Sequence, residues 1–191
     1  MALQKNFYRR ETLTVAKQLL GCFLMRKIGR KVIRARITEV EAYIGEDDLA
    51  CHASKGRTKR TEIMYGEPGH AYVYMIYGMY HCLNIVTEKK GYPSAVLVRA
   101  VANSCEYVHK SREWREIHGV KTDGPGKLCR FLKIDKKLNG WDMTKGEKLW
   151  IDRPTPRLRS GEKVIANKRI GVDYAKHCRD YLWRFSLDYS K

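Results

Sequence analysis

The chain has 191 residues, 43% of them hydrophobic and 31% charged, with 38 Lys and Arg against 21 Asp and Glu. That length allows one folded domain with a sizeable core, or at most two small ones; with no internal repeat or linker visible, the chain reads as one domain spanning residues 1–191. No stretch approaches the roughly 18 apolar residues of a membrane span, and the first ten residues lack the apolar core of a signal peptide.

The net charge of +17 selects polyanionic partners. Nucleic acid leads, because the basic residues are interleaved with twelve tyrosines and do not form a tail. Six cysteines stand at 22, 51, 82, 105, 129 and 178, irregularly spaced and without a Cys-x-x-Cys pair. They read as reduced, mostly buried thiols in a reducing, intracellular compartment.

In chain order, residues 11–20 read as a helix, with Thr12 as N-cap, Leu13, Ala16, Leu19 and Leu20 on one face, and Gly21 closing it. Residues 22–25 and 32–43 read as a hairpin of strands turning at 28–31. In the second strand a period of two places Ile33, Ala35, Ile37, Glu39, Glu41 and Tyr43 on one face, so that an acidic and aromatic half emerges where a cleft would lie. A polar loop follows, through His52 to the basic run 55–60.

Residues 71–77 read as another strand. Tyr72 and Tyr74 share a face there, while Tyr77 has the opposite parity and abuts Gly78. Residues 81–86 and 95–101 are two more apolar strands, the second carrying Arg99. Residues 103–118 read as a polar, basic helix ending at Gly119. Residues 124–132 read as a Gly-rich loop opening a short helix, whose free N–H groups and Lys127 offer a weak phosphate seat. Strand-like pieces at 148–152, 163–172 and 183–187 complete an α+β domain with mostly antiparallel strands.

These residues carry a resemblance. The stretches 39–43, His52, 72–80, Asn84, 96–99, 124–129 and 169–172 are similar, in the same order, to the alkyladenine (3-methyladenine) DNA glycosylase family of the compact single-domain type. The resemblance implies a single mixed α/β domain around a curved, largely antiparallel sheet with flanking helices. It also implies a monomer acting on duplex DNA with damaged purines, in the compartment that holds the DNA, with hydrolysis of the N-glycosidic bond of alkylated purines. Carried onto this sequence, Glu41 activates the attacking water and Arg99 helps hold it. Tyr43, His52 and Tyr74 stack around the flipped base, Asn84 crowds the pocket, and Tyr77 fills the gap left in the duplex. Met64, His52 and Asn84 bear on which bases are accepted: 3-methyladenine and 7-methylguanine first, hypoxanthine or ethenoadenine depending on pocket detail. The C-terminal segment 175–185 keeps only the general shape of the family's ending and contributes no site residue.

The residue types suit that chemistry. A base inside a duplex must be extruded, at a cost of a few kcal/mol that a wedge and a stacking pocket offset. Aromatic faces favour a cationic lesion by roughly 0.5–2 kcal/mol each. A cationic purine is a good leaving group, so one carboxylate near the sugar can activate water and stabilise the oxocarbenium-like centre. The scheme calls for no metal and no cofactor. Arg57, Lys59, Arg60 and Lys127 are the candidates to grip phosphates, positioning DNA without reading the lesion.

Two other readings stand beside it. The charge and tyrosines alone fit a non-enzymatic nucleic-acid-binding module, although such a module has little reason to aim Glu39, Glu41, Asp47 and Asp48 towards phosphates. A metal-dependent nuclease would use Glu41, Asp47 and Asp48 as its ligands. Glu41 as a surface carboxylate paired with Arg34 or Arg36 is the plain structural alternative.

Overall fold

The strand that carries the acidic stripe also organises the sheet. A computed structural model of the chain describes residues 1–108, 114–119 and 122–188. Among the described residues are nine strands: β1 (Phe23–Ile28), β2 (Lys31–Ile44), β3 (Ala71–Ile76), β4 (Tyr80–Val86), β5 (Ser94–Val108), β6 (Trp114–Ile117), β7 (Leu149–Asp152), β8 (Lys163–Asn167) and β9 (Arg184–Asp188). They form one open, curled sheet in the order β3-β4-β5-β2-β1-β7. In addition, β6 pairs with β5, and β9 pairs with β2 and β8; every pairing is antiparallel. On one edge β2 meets β5 along most of its length; on the other it meets β1 over its first half and β9 at residues 39–41.

That change of neighbour coincides with an irregularity. Between Ile37 and Glu39, β2 advances two residues while its partner β5 advances one, from Val101 to Ala100. A bulge of this kind reverses which side chains face the core. The buried set accordingly switches from Ile33, Ala35 and Ile37 to Val40 and Ala42. The single face expected for residues 33–43 is therefore wrong. The apolar half of β2 faces the core, whereas Glu39, Glu41 and Tyr43 lie on the opposite face of the sheet. Strand β5 switches in the same way, with Val96, Val98, Val101 and Cys105 in the core and Arg99 across from them.

The core lies between the sheet and the helices α1 (Lys5–Tyr8), α2 (Thr12–Leu19) and α3 (Pro125–Phe131). In α2, Val15, Ala16 and Leu19 are buried, at helical spacing. The helix ends before Gly21, whose φ of +83 takes the left-handed form, and a Cβ there would meet the Arg157 carbonyl oxygen at 2.3 Å. Thr12 is not the cap. It is the first helical residue, and its hydroxyl is within hydrogen-bond distance of Thr87 and Glu88. Helix α1 had no counterpart in the sequence reading.

The helix expected over 103–118 is not formed. Strand β5 continues to Val108, and β6 folds back along it with Cys105 opposite Ile117; residues 109–113 lie outside the described residues. The charges that gave this stretch a helical look are spent across strands instead: Glu106 is ion-paired with Arg34 of β2, and Lys31 sits over the Tyr107 ring. The open edge of β2 needs a partner along residues 32–35, and that pairing overrides local propensity. The strand expected over 163–172 stops at Asn167; beyond it the Arg169 side chain is buried against Asp48. All six cysteines are free and buried, as expected.

Candidate active site

On the sheet face opposite the core, the bulged halves of β2 and β5 and the facing residues of β3 and β4 surround a cavity of about 340 Å³. Tyr43, Tyr72, Tyr74 and His52 supply aromatic walls, with Met64, Asn84 and Arg99 beside them and Ile170, Gly171, Val172 and Tyr174 closing another side. Every expected base-pocket residue lines this one cavity.

Glu41 is fully buried and does not itself line the cavity; its hydrogen-bond donors do. Its Oε2 accepts from the Tyr43 hydroxyl at 2.8 Å and from Arg99 Nη1 at 3.2 Å. Its Oε1 accepts from the Ile170 backbone N–H at 2.8 Å. An ionised carboxylate offers about four acceptor sites, and among the described residues these three donors leave one on Oε1 without a partner. Burial pushes the Tyr43 phenol well above its usual range, and the Glu41 charge adds to the shift. Tyr43 therefore keeps its proton and remains a donor. Arg99 also reaches Glu39 at 3.4 Å, and Arg184 of β9 donates to the same Glu39 oxygen at 2.9 Å. Glu41 pairs with neither Arg34 nor Arg36: those belong to Glu106 and Glu162.

His52 opens a short 3₁₀ turn, His52–Lys55. Its Nδ1 is 2.9 Å from the Tyr72 hydroxyl and its Nε2 is 3.4 Å from Arg60 Nη2. A guanidinium can only donate, so Nε2 is the acceptor and Nδ1 carries the proton. Burial, and then the charges of Arg60 and Lys55, push the imidazole down to about 4, so the ring is neutral at pH 7. It meets the Tyr74 ring edge-on at 4.6 Å. Asn84 is buried and donates from Nδ2 to the Tyr72 carbonyl at 3.2 Å.

Tyr77 stands at the tip of the β3–β4 hairpin, 87% exposed. It and Gly78 have φ of +51 and +68, and Met79 N–H returns to the Ile76 carbonyl. Two successive positive φ values make the tight turn that matches strand twist. The turn leaves Tyr77 exposed, and the nearby Met75 and Met79 are exposed as well.

The basic candidates divide. Lys59 and Arg60 are exposed, and the Arg60 guanidinium lies 5.0 Å over the Tyr74 ring, at the cavity's edge. Arg57 is held by both oxygens of Glu62, and Lys127 by Asp123 at 2.9 Å. Asp48, one of the carboxylates a metal-dependent nuclease would need, is buried and gripped through both oxygens by Arg169. Among the described residues, no group of three or more His, Cys, Asp or Glu side chains could hold a metal ion. The sequence reading assigned no role to Ile170, Arg169 or Tyr174. Ile170 contributes a backbone N–H, which no residue type announces.

Comparison with known proteins meets this geometry. The family model for methylpurine-DNA glycosylase matches residues 6–191. A protein of Methanocella arvoryzae is 48% identical over 185 residues, covering 96% of this chain and 90% of its own. A protein of Desulfitobacterium hafniense is 43% identical over 199 residues, covering 99% and 96%. One of Legionella pneumophila is 46% identical over 185 residues, covering 97% and 93%. Each of the three carries the name "Putative 3-methyladenine DNA glycosylase". Fold and matches together define a DNA glycosylase of the base-repair class, a hydrolase of N-glycosyl bonds. The chain belongs to the methylpurine-DNA glycosylase family. No helix among the described residues is long and apolar enough to cross a membrane.

Proposed function

We propose that the chain excises alkylated purines, 3-methyladenine and 7-methylguanine above all, from duplex DNA with a water activated by Glu41, leaving an abasic site. The observation that carries this reading is the buried Glu41 carboxylate held by Tyr43, Arg99 and the Ile170 N–H immediately behind an aromatic cavity. The cavity's size and its walls of Tyr43, Tyr74 and neutral His52 suit a flipped purine. A neutral imidazole adds no charge that would repel a cationic base, and the tyrosine faces attract one.

In the reaction, water bound at the open acceptor site of Oε1 passes a proton to Glu41 as its oxygen bonds to the sugar C1′. The C1′–N bond breaks, and its electron pair neutralises the departing cationic purine. The same carboxylate, shielded from bulk water, stabilises the positive charge that builds on the sugar. Arg99 orients the carboxylate, and Glu39 with Arg184 steadies Arg99. Because Glu41 sits one layer behind the cavity wall, a small shift of Tyr43, Arg99 or the 170–172 segment on DNA binding must admit the water. Tyr77 takes the place of the extruded base in the stack.

The test is a set of duplexes, each with one lesion, incubated without metal and then treated with alkali to reveal abasic sites. Release of 7-methylguanine by the wild-type chain, with Glu41→Gln binding the same duplex but releasing nothing, is the expected result. No release from any alkylated purine, or normal release by Glu41→Gln, would overturn the reading.

A further inference from the structure

We propose that Arg169, clamped by Asp48, is a positioning residue that holds the Ile170 N–H against Glu41; the proposal rests on the reading of Glu41 as the base. Residues 168–172 have left strand β8, so no ladder fixes Ile170. Burial does not fix it either, since the Ile170 side chain is 52% exposed at the cavity rim. Next to it, Gly171 has φ +74, and nothing lies within 4 Å of where a Cβ would stand. Yet the Ile170 N–H meets Glu41 Oε1 at 2.8 Å.

The anchor is the preceding side chain. The Arg169 side chain is fully buried. Its Nη1 donates to the Ala42 carbonyl at 2.9 Å and to Asp48 Oδ2 at 2.5 Å. Its Nη2 donates to Asp48 Oδ1 at 2.7 Å and to the Cys178 carbonyl at 3.1 Å. The guanidinium lies 4.9 Å from the Tyr43 ring centre and 5.1 Å from that of Trp183. Asp48 in turn accepts from the Ile44 and Ala50 N–H groups. One planar fork thus ties together the end of β2, the 48–50 loop and the 170–172 segment, which are three walls of the cavity. Its Nε is buried without a hydrogen-bond partner. Desolvation offsets much of what a buried ion pair adds to stability, and in some proteins such pairs instead fix a unique geometry; a lysine cannot reproduce the fork.

Arg169→Lys and Asp48→Asn are compared with wild type in single-turnover release of 7-methylguanine, with enzyme titrated to saturation. The expected result is a saturated rate at least 30-fold lower, while the enzyme concentration giving half the maximal rate changes less than threefold. Binding of the lesion duplex shows that each variant is folded, and Asp48→Asn carries the test if Arg169→Lys does not fold. A wild-type rate in both variants would overturn the proposal. So would a loss confined to half-saturation, or failure of both variants to bind the lesion duplex, which would leave the pair serving the fold alone. If wild type itself releases no base, the proposed reaction fails instead; release by wild type that Glu41→Gln abolishes, with Arg169→Lys and Asp48→Asn both unimpaired, fails only the positioning role.

Discussion

The backbone N–H of Ile170 donates to Glu41 Oε1 at 2.8 Å, joining residues 129 apart in sequence. With the Tyr43 hydroxyl and Arg99 on Oε2, it leaves one acceptor site of the carboxylate without a partner among the described residues. A base with a single open acceptor site presents that site in one orientation, which is the condition for aiming a water.

The Tyr43 hydroxyl can be removed without removing its ring. Tyr43→Phe keeps the stacking face but takes one donor from Glu41 Oε2. A net hydrogen bond to a charged group is worth about 1.5–3 kcal/mol, and part of it survives through Arg99. Saturated single-turnover release is expected to fall roughly tenfold, about 1.4 kcal/mol, with lesion affinity within threefold of wild type. A rate equal to wild type would show that the hydroxyl does not shape the base.

Tyr77 is exposed and held by a turn that its own side chain does not stabilise. Tyr77→Ala should therefore leave the thermal midpoint within about 1 °C, since exposed substitutions usually stay within about 0.5 kcal/mol. Affinity for lesion duplex should drop by about 10- to 100-fold, the loss of a wedge worth a few kcal/mol, with a smaller loss on the same lesion in single strand. Equal losses on both substrates would remove Tyr77 from the wedge role.

Much of the site was legible in the sequence, and the gaps have physical causes. Tyr43, Tyr74 and His52 carry the aromatic chemistry of their motif and line the cavity, and Glu41 lies behind its wall. The reversal of β2 at Thr38 and Glu39 was not legible, because a bulge between two ordinary residues carries no glycine or proline. The strand at 105–108 was mistaken for helix because its charges find partners across the sheet, as Glu106 does in Arg34. The stretch 169–172 carries part of the resemblance, but the role of Ile170 was not legible because its contribution is a peptide group, and the buried pairing of Arg169 with Asp48 appears only in the fold.

His52 makes stability depend on pH. Its folded value of about 4 lies below the ordinary 6.5, chiefly through burial. The unfolded chain therefore binds a proton below 6.5 that the folded chain refuses until about 4. Stability from this group is complete above pH 6.5 and is lost as pH falls towards 4. Because the ring is partly exposed, solvent screening reduces the effect at pH 5 to roughly 1 kcal/mol. Urea midpoints at pH 7.5 and 5.0, wild type against His52→Gln, should show wild type losing more by that amount. The same drop in both proteins would show that His52 is not held neutral by the fold. Above pH 6, base release should show no step from this histidine.

Salt dependence separates the basic residues. Each phosphate neutralised by a Lys or Arg contributes ~0.9 to the slope of log affinity against log salt. Lys59 is exposed on the loop beside the cavity, so Lys59→Ala should lower the slope by about one and leave the saturated rate unchanged. Arg60→Ala should lower the slope similarly and also reduce release, because its guanidinium touches His52 and covers Tyr74. Arg57 already has both oxygens of Glu62 and Lys127 has Asp123. A phosphate must compete with those carboxylates, so their alanine variants should shift the slope by less than about half a unit. Affinities for one lesion duplex, measured from 50 to 200 mM salt, decide the matter on the order of those slopes. An Arg57→Ala shift as large as that of Lys59→Ala would mean that DNA displaces Glu62, and the loop would then grip phosphates along its whole basic run.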